Sequence, residues 1–342
     1  MLTTLRMFDL HCHYLPGVDD GARTLNDGLA LVRAAAANGI ERIVLTPHVH
    51  PGRYDNVQSS LKSRFETFQR AVESAQIPVQ LALAGEVRLC DELLPLIERG
   101  EVPLFESASG AKTLLLELPH SHVPAGSLVF IRWLQRRGIA PLLAHPERNK
   151  ELMAHPQRLQ QLREAGCLVQ ITAASVIGDF GERAQRAVNF FLENNWVNMV
   201  ASDAHNLRHR PPLMREAAAA IAARYGDDVA RQLFVSAPAE IAIGGFGVHR
   251  ESVEQPLRES LPIDLAIAPA PVLVASSQPE RRQPQIEPSL SEARTANVAH
   301  ADLCDAALSR MRAELLRRAA EPNKDGAKAA RILQLMNSMQ AR

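Results

Sequence analysis

Short apolar runs alternate with longer amphipathic stretches from the start of the chain to about residue 245. The runs "MFDLHCH", "RIVLTPH", "VQLALAGE", "TLLLELP", "APLLAHPE", "CLVQIT" and "VNMVASDAH" read as strands. Between them, "TLNDGLALVRAAAANG", "SLKSRFETFQRAVESA", "GSLVFIRWLQRRG", "PQRLQQLREAG", "ERAQRAVNFFLENN" and "PPLMREAAAAIAARYG" carry helical periodicity. The first of these opens on a Thr24-x-x-Asp27 capping box and closes at Gly39. Strand, helix, strand, repeated about seven times, predicts parallel strands covered by helices. A closed or nearly closed α/β barrel is the simplest such architecture, and a doubly wound open sheet shares the same periodicity.

After about residue 250 the pattern stops. The stretch "PLRESLPIDLAIAPAPVLVASSQPERRQPQIEPSLSEARTAN" is rich in Pro, Ser, Gln and Ala, which predicts a largely disordered linker. Helix-forming composition returns from His300 to Arg342, with several basic residues and few acids. The expected organisation is a folded domain over 1–248, a linker over 249–299 and a helical C-terminal extension over 300–342.

Composition narrows the class. The 342 residues carry 38 Lys and Arg against 38 Asp and Glu, so bulk charge advertises neither a nucleic-acid nor a membrane surface. The apolar stretches are too short to span a bilayer, and no signal-like run opens the chain. Cys12, Cys90, Cys167 and Cys304 are widely spaced, as expected of reduced thiols. A cytoplasmic location is expected, with no membrane insertion and no nucleic-acid partner.

The strand ends carry the chemistry, because loops leave a parallel sheet there. The first ends in His11 and His13, followed by Asp19 and Asp20. The next ones end in His48, Glu86 and Glu117; then come His145, Glu147 and Arg148, and last Asp203 and His205. Only "CLVQIT" lacks an obvious ligand. Any one histidine after a strand is ordinarily a loop or core residue, but the set together points to metal. Residues i and i+2 share a strand face, so His11/His13 and Asp203/His205 form natural ligand pairs. Imidazole with carboxylate and no thiolate suits Mn²⁺, Fe or Zn²⁺. These donors exceed the four to six or so that one ion takes, so two to three divalent ions are expected. The excess positive charge would suit a phosphate dianion. Arg148 and Arg210 follow close behind His145 and His205, and guanidinium forks bind phosphate oxygens bidentately; Arg208 competes for the second role.

The segments "DLHCHYLPGVDDGA", "GIERIVLTPHVHP", "AGEVRL", "LLLELP", "LLAHPERN" and "VASDAHNLRHRPP" resemble, in order and spacing, the bacterial PHP-superfamily protein-tyrosine phosphatases of the CpsB/CapC type. The resemblance covers about residues 7 to 245. It implies a distorted (β/α)7 barrel of the PHP type with a trinuclear centre, usually Mn²⁺. By the same resemblance the enzyme hydrolyses phosphotyrosine on the tail of a tyrosine autokinase in capsule or exopolysaccharide assembly, through metal-bound hydroxide. Carried over, the ligands are His11, His13, His48, Glu86, Glu117, His145, Asp203 and His205. The wider superfamily adds a ligand at the position of Asp19, with Asp20 left open, and Arg148 and Arg210 match phosphate-holding positions. The extension after residue 250 departs from the family core.

Other readings are weighed against this one. "CDAALSR", Cys304 to Arg310, matches a Cys-x5-Arg phosphatase loop in letters only, since it lacks the glycines that aim N–H groups at phosphate. Cys12 is expected to face the core, while His50, His120 and His122 belong to loops near the mouth. A histidinol-phosphate phosphatase of the same superfamily is one rival; a non-catalytic kinase-binding regulator is another. The oligomeric state is left open, a homo-oligomer included.

Overall fold

The structure is a computed structural model, and it describes residues 5–247. The linker expected over 249–299, the extension over 300–342 and the Cys304–Arg310 stretch lie outside the described residues. No helix among the described residues is long and apolar enough to cross a membrane.

The fold is mixed α/β, built on parallel strands. The strands are β1 (Met7–Asp9), β2 (Ile40–Leu45), β3 (His48–Val49), β4 (Gln80–Leu83), β5 (Glu86–Arg88), β6 (Phe105–Glu106), β7 (Lys112–Glu117), β8 (Ile139–Ala144), β9 (Leu168–Thr172) and β10 (Met199–Ala201), all parallel in their pairings except β6. One sheet runs β1-β2-β4 and the other β10-β9-β8-β7-β5-β3, with β6 antiparallel on β7. Each apolar run read from the sequence contains a strand, and helices follow at Leu25–Ala37, Gln58–Ser74, Ser127–Arg136, Leu159–Glu164, Glu182–Glu193 and Met214–Tyr225. The Thr24–Asp27 capping box forms on both sides, and Gly39 adopts φ 92° just beyond the helix.

Two runs break in a way periodicity does not reveal. The second run splits into β2 and β3 around Thr46-Pro47, and the third into β4 and β5 around Ala84-Gly85. Pro47 has no N–H to donate, yet its carbonyl accepts from Glu86 N at 3.1 Å. Ala84 N reaches Leu45 O at 2.9 Å, so the two broken runs stay paired through their breaks. At the other end of the order, Asp203 N donates to His11 O (2.7 Å) and His13 N to Ala204 O (2.9 Å), tying the chain after β1 to the chain after β10.

The strands are buried on both faces, which explains why they read as continuous apolar runs. Phe8, Val44, Ala82, Leu115, Leu142, Ala144, Met199 and Ala201 pack together in one cluster. Their neighbours Ile43, Leu45, Leu143, Val169, Ile171 and Val200 pack in the other, with helix residues such as Leu31, Phe68, Phe191 and Ile221. Cys12 belongs to this second cluster, facing away from its histidine neighbours as expected.

Helix Leu25–Ala37 packs close enough to leave no room at Gly28. A Cβ there would lie 2.7 Å from Tyr14 O and 2.8 Å from Phe68 Cε2. Helix propensity favours alanine by about 1 kcal/mol, whereas forced overpacking costs about 1–3 kcal/mol. Gly28→Ala is therefore expected to lower the urea midpoint of unfolding; a raised midpoint would show that the helix and Phe68 part without cost.

Candidate metal centre

The strand ends deliver their side chains to one buried place. His11 and His13 lie just past β1, on backbone that is no longer strand, held by the ties to Asp203 and Ala204. His11 Nε2 lies 3.2 Å from Glu86 Oε2 and 3.2 Å from Asp203 Oδ1. His13 Nε2 lies 3.2 Å from Glu86 Oε2 and 3.3 Å from Asp203 Oδ1. None of these four contacts has hydrogen-bond geometry, and His11 Nε2, His13 Nε2, His205 Nε2, Glu86 Oε2 and Asp203 Oδ1 are all buried without a hydrogen-bond partner. Unpartnered buried donors and acceptors are costly. Here they converge on shared space instead of on one another, as ligands around a cation would.

Donor atoms fall into three groups whose members all lie within 4.8 Å of one another: His11, His13, Glu86 and Asp203; His13, Asp20, His48 and His205; His48, Glu86 and Glu117. Shared members link the groups. The donor chemistry is imidazole and carboxylate throughout, which fits hard or borderline divalent ions. His145 and Asp19 stand outside these groups. His145 Nε2 hydrogen-bonds Glu86 Oε1 at 2.7 Å, and Asp19 Oδ2 accepts from His13 Nδ1 at 2.7 Å and from His48 N at 3.1 Å. Of the two aspartates, Asp20 reaches into the cluster, 3.3 Å from His48 Nε2 and 3.5 Å from His205 Nε2.

Gln170, in the strand that carried no obvious ligand, supplies a partner the sequence reading missed. Its Oε1 meets His11 Nδ1 at 2.9 Å, while its Nε2 donates to Ile171 O at 2.7 Å, which fixes the amide's orientation. With a metal ion in place, His11 and His13 would keep their ring protons on Nδ1 and offer Nε2, and Gln170 and Asp19 hold those orientations. A lone amide flanked by Val169 and Ile171 in a buried strand was the available signal. Arg88 was also missed: it pairs with Glu117 at 2.8 Å across the β5–β7 register.

Arg148 and Arg210 arrive from separate loops and both pair with Asp203 Oδ2. Asp203 and His145 themselves sit in left-handed backbone, φ 50° and 31°, at two strand ends. The exposed His120 lies 3.8 Å from Glu117, and His50 pairs with Tyr54 in the loop that stacks Tyr54 on His48 (5.3 Å between ring centroids).

Electrostatics follow from the burial. Desolvation opposes ionisation of Asp203 and Glu86, yet His11 beside both, with Arg210 and Arg148 at Asp203 and His48 at Glu86, holds both carboxyls well below the usual range. Burial also opposes charge on His48, but Glu86 overcomes it and pushes the imidazole up to about 10. His205 goes the other way, to about 4, through burial and the neighbouring His13.

Residues 7–242 match the family described as Capsular polysaccharide synthesis, CpsB/CapC. The chain belongs to the CpsB/CapC family. Curated relatives include "Tyrosine-protein phosphatase YwqE" of Bacillus subtilis, 33% identical over 65% of this chain and 87% of the relative. "Tyrosine-protein phosphatase CpsB" of Streptococcus agalactiae serotype III is 28% identical over 67% of this chain and 95% of its own length. A crystal structure from a pair described as YwqE from Bacillus subtilis and CpsB from Streptococcus pneumoniae, "unique metal-dependent tyrosine phosphatases", superposes with a TM-score of 0.62 at 32% identity, over 66% of this chain and 90% of that one. The CpsB/CapC match ends close to where the described residues end.

Two outcomes test the centre. Because His48 holds a proton at neutral pH, a metal must displace it, so affinity for Mn²⁺ should rise with pH up to about 10. Adding Mn²⁺ to chelator-stripped protein in weak buffer at pH 7 is expected to acidify the solution; a flat pH trace would remove His48 from the ligand set. Asp20→Asn is expected to lower the bound metal per chain measured by elemental analysis, and full loading would remove Asp20.

Proposed function

We propose that this chain is a metal-dependent protein-tyrosine phosphatase that hydrolyses phosphotyrosine on the tail of a bacterial tyrosine kinase and thereby regulates capsule or exopolysaccharide synthesis. One observation carries the reading: in a CpsB/CapC chain, unpartnered imidazole and carboxylate atoms converge in a buried centre with two guanidinium groups at its side. The names of the relatives support the substrate class. We infer further that the strands form a distorted seven-stranded barrel of the PHP type, supported by the ties from the end of β1 to the end of β10.

His11, His13, Asp20, His48, Glu86, Glu117, Asp203 and His205 would hold two to three divalent ions, Mn²⁺ being the best fit to the donors. His145 and Asp19 would complete or orient this set. Bound divalent ions supply Lewis acidity and lower the pKa of water from 15.7 towards about 7. The chain's own residues do the rest. Asp19 and Gln170 fix the imidazole planes of His13 and His11. Arg148 and Arg210 present in-plane N–H donors to the equatorial phosphoryl oxygens, where negative charge spreads in the transition state. Cys12 points into the core, so it offers no thiolate to the site, and direct in-line displacement of the tyrosyl oxygen by water requires no covalent phosphoenzyme.

The test is phosphate release from a phosphotyrosine peptide and from histidinol phosphate, side by side, with Mn²⁺ and then with chelator. Faster turnover of the peptide, abolished by chelator and unaffected by Cys304→Ser, is expected. Preference for histidinol phosphate would move the chain to small-molecule hydrolysis, and activity that survives chelation would refute the metal chemistry. Arg148→Ala is expected to cut kcat/KM by on the order of a hundredfold, the scale of losing one preorganised donor to transition-state charge.

A further inference from the structure

Phe180 lies in the turn between the short helix Ala173–Ile177, which follows β9 directly, and helix Glu182–Glu193; β9 is the one strand end for which the sequence offered no ligand. The Arg148 guanidinium carbon lies over its ring at 4.5 Å from the centroid, and that of Arg210 at 5.9 Å. These two arginines belong to separate loops, the turn Pro146–Arg148 and the hairpin closed by the Asn206–Arg210 bridge. What they share is Asp203 on one side and Phe180 on the other. The two guanidinium cations share one carboxylate oxygen and repel each other, with Glu147 and Glu86 as further negative charges near Arg148. Arg210 pairs with Asp203 through one end of its guanidinium, while its Nε is buried without a hydrogen-bond partner. The negative face of an aromatic ring adds an attraction that both guanidinium groups share.

The geometry is also selective in what it leaves free. A guanidinium stacked on a ring by its face keeps its in-plane N–H donors free. An arginine held by its face keeps its edge available for an oxyanion. The loop is built to present this ring. Gly178 and Gly181 flank it at φ 93° and 87°, the left-handed region that side chains avoid, and Asp179 N and Gly181 N close turns onto Ala174 O (2.9 Å) and Gly178 O (2.8 Å). The Gln185 side chain fills the space over Gly178 and donates to Val176 O at 3.1 Å, locking the loop to the following helix.

We propose that Phe180 is a positioning residue that holds the Arg148 and Arg210 guanidinium groups, by contact with their faces, in the orientation that binds a phosphoryl group. This rests on the reading of the two arginines as the phosphate clamp. It separates from the hydrolysis claim because binding is measured without turnover.

The experiment is calorimetric binding of inorganic phosphate to the Mn²⁺-loaded full chain, for the wild type and for Phe180→Leu, Phe180→Met and Phe180→Tyr. Metal content, thermal midpoint and the kcat and KM for a phosphotyrosine peptide are measured alongside. Leucine and methionine keep the apolar bulk and remove the ring; tyrosine keeps the ring. The first two are expected to weaken phosphate binding about three- to tenfold, the scale of one or two cation–π contacts, and to raise KM in parallel. Metal content should stay unchanged, and tyrosine should restore binding. Phosphate binding equal to wild type in Phe180→Leu and Phe180→Met would overturn the proposal, as would a loss that tyrosine fails to rescue. Ring-dependent phosphate binding in a wild type that hydrolyses no phosphotyrosine peptide supports it while refuting the phosphatase reading.

Discussion

Six side chains surround the buried carboxylate of Asp203, and the centre depends on that arrangement. His11, His13 and His205 face one of its oxygens, while Arg148 and Arg210 pair with the other, with His145 4.0 Å from it. A carboxylate that is only 2% exposed survives ionised because these neighbours outweigh its lost hydration. The same group therefore organises both halves of the chemistry, the imidazole side where ions would sit and the guanidinium side where an oxyanion would. Its backbone, at φ 50°, is part of the cost of that placement.

Much of this was legible in the sequence for one reason: the features were local. Strands buried on both faces appear as dense apolar runs, and the helices between them carry their own period and caps, as Thr24 and Asp27 show. Ligand-type residues at strand ends were equally visible, because topology alone brings such ends together. What stayed hidden depends on pairing or on single loops. The breaks at Pro47 and Gly85 interrupt runs that look continuous. Asp19 and Asp20 are adjacent in sequence, and only the fold places Asp20 among the imidazoles and Asp19 behind His13. Gln170 is chemically unremarkable until the neighbouring strands set it against His11. Arg88 needs the β5–β7 register to find Glu117, and Phe180 needs two distant loops to fold over it.

The centre is also layered. Behind the inward-facing atoms stand Asp19, Gln170, Arg88 and Phe180, each touching one or two of them. These outer groups decide where the inner ones point. Imidazole nitrogens are interchangeable until a partner claims one, and a guanidinium can pair through face or edge until something occupies its face. The inner set alone would leave both choices open.

The ties between the chain after β1 and the chain after β10 carry a consequence for how the molecule is made. His11 and Asp203 meet only when nearly the whole domain has been synthesised. At about 5–20 residues per second, the first histidines wait on the order of ten seconds or more for their carboxylate partner. Until β10 docks, a nascent chain has only part of this cluster, and Arg148 lacks its partner Asp203. Contacts so distant in sequence are also slow to close, since loop entropy must be overcome before they reward the chain. Maturation of the centre is thus tied to a late stage of synthesis, and a ribosome-bound fragment that stops short of Asp203 lacks the carboxylate on which both halves of the centre meet.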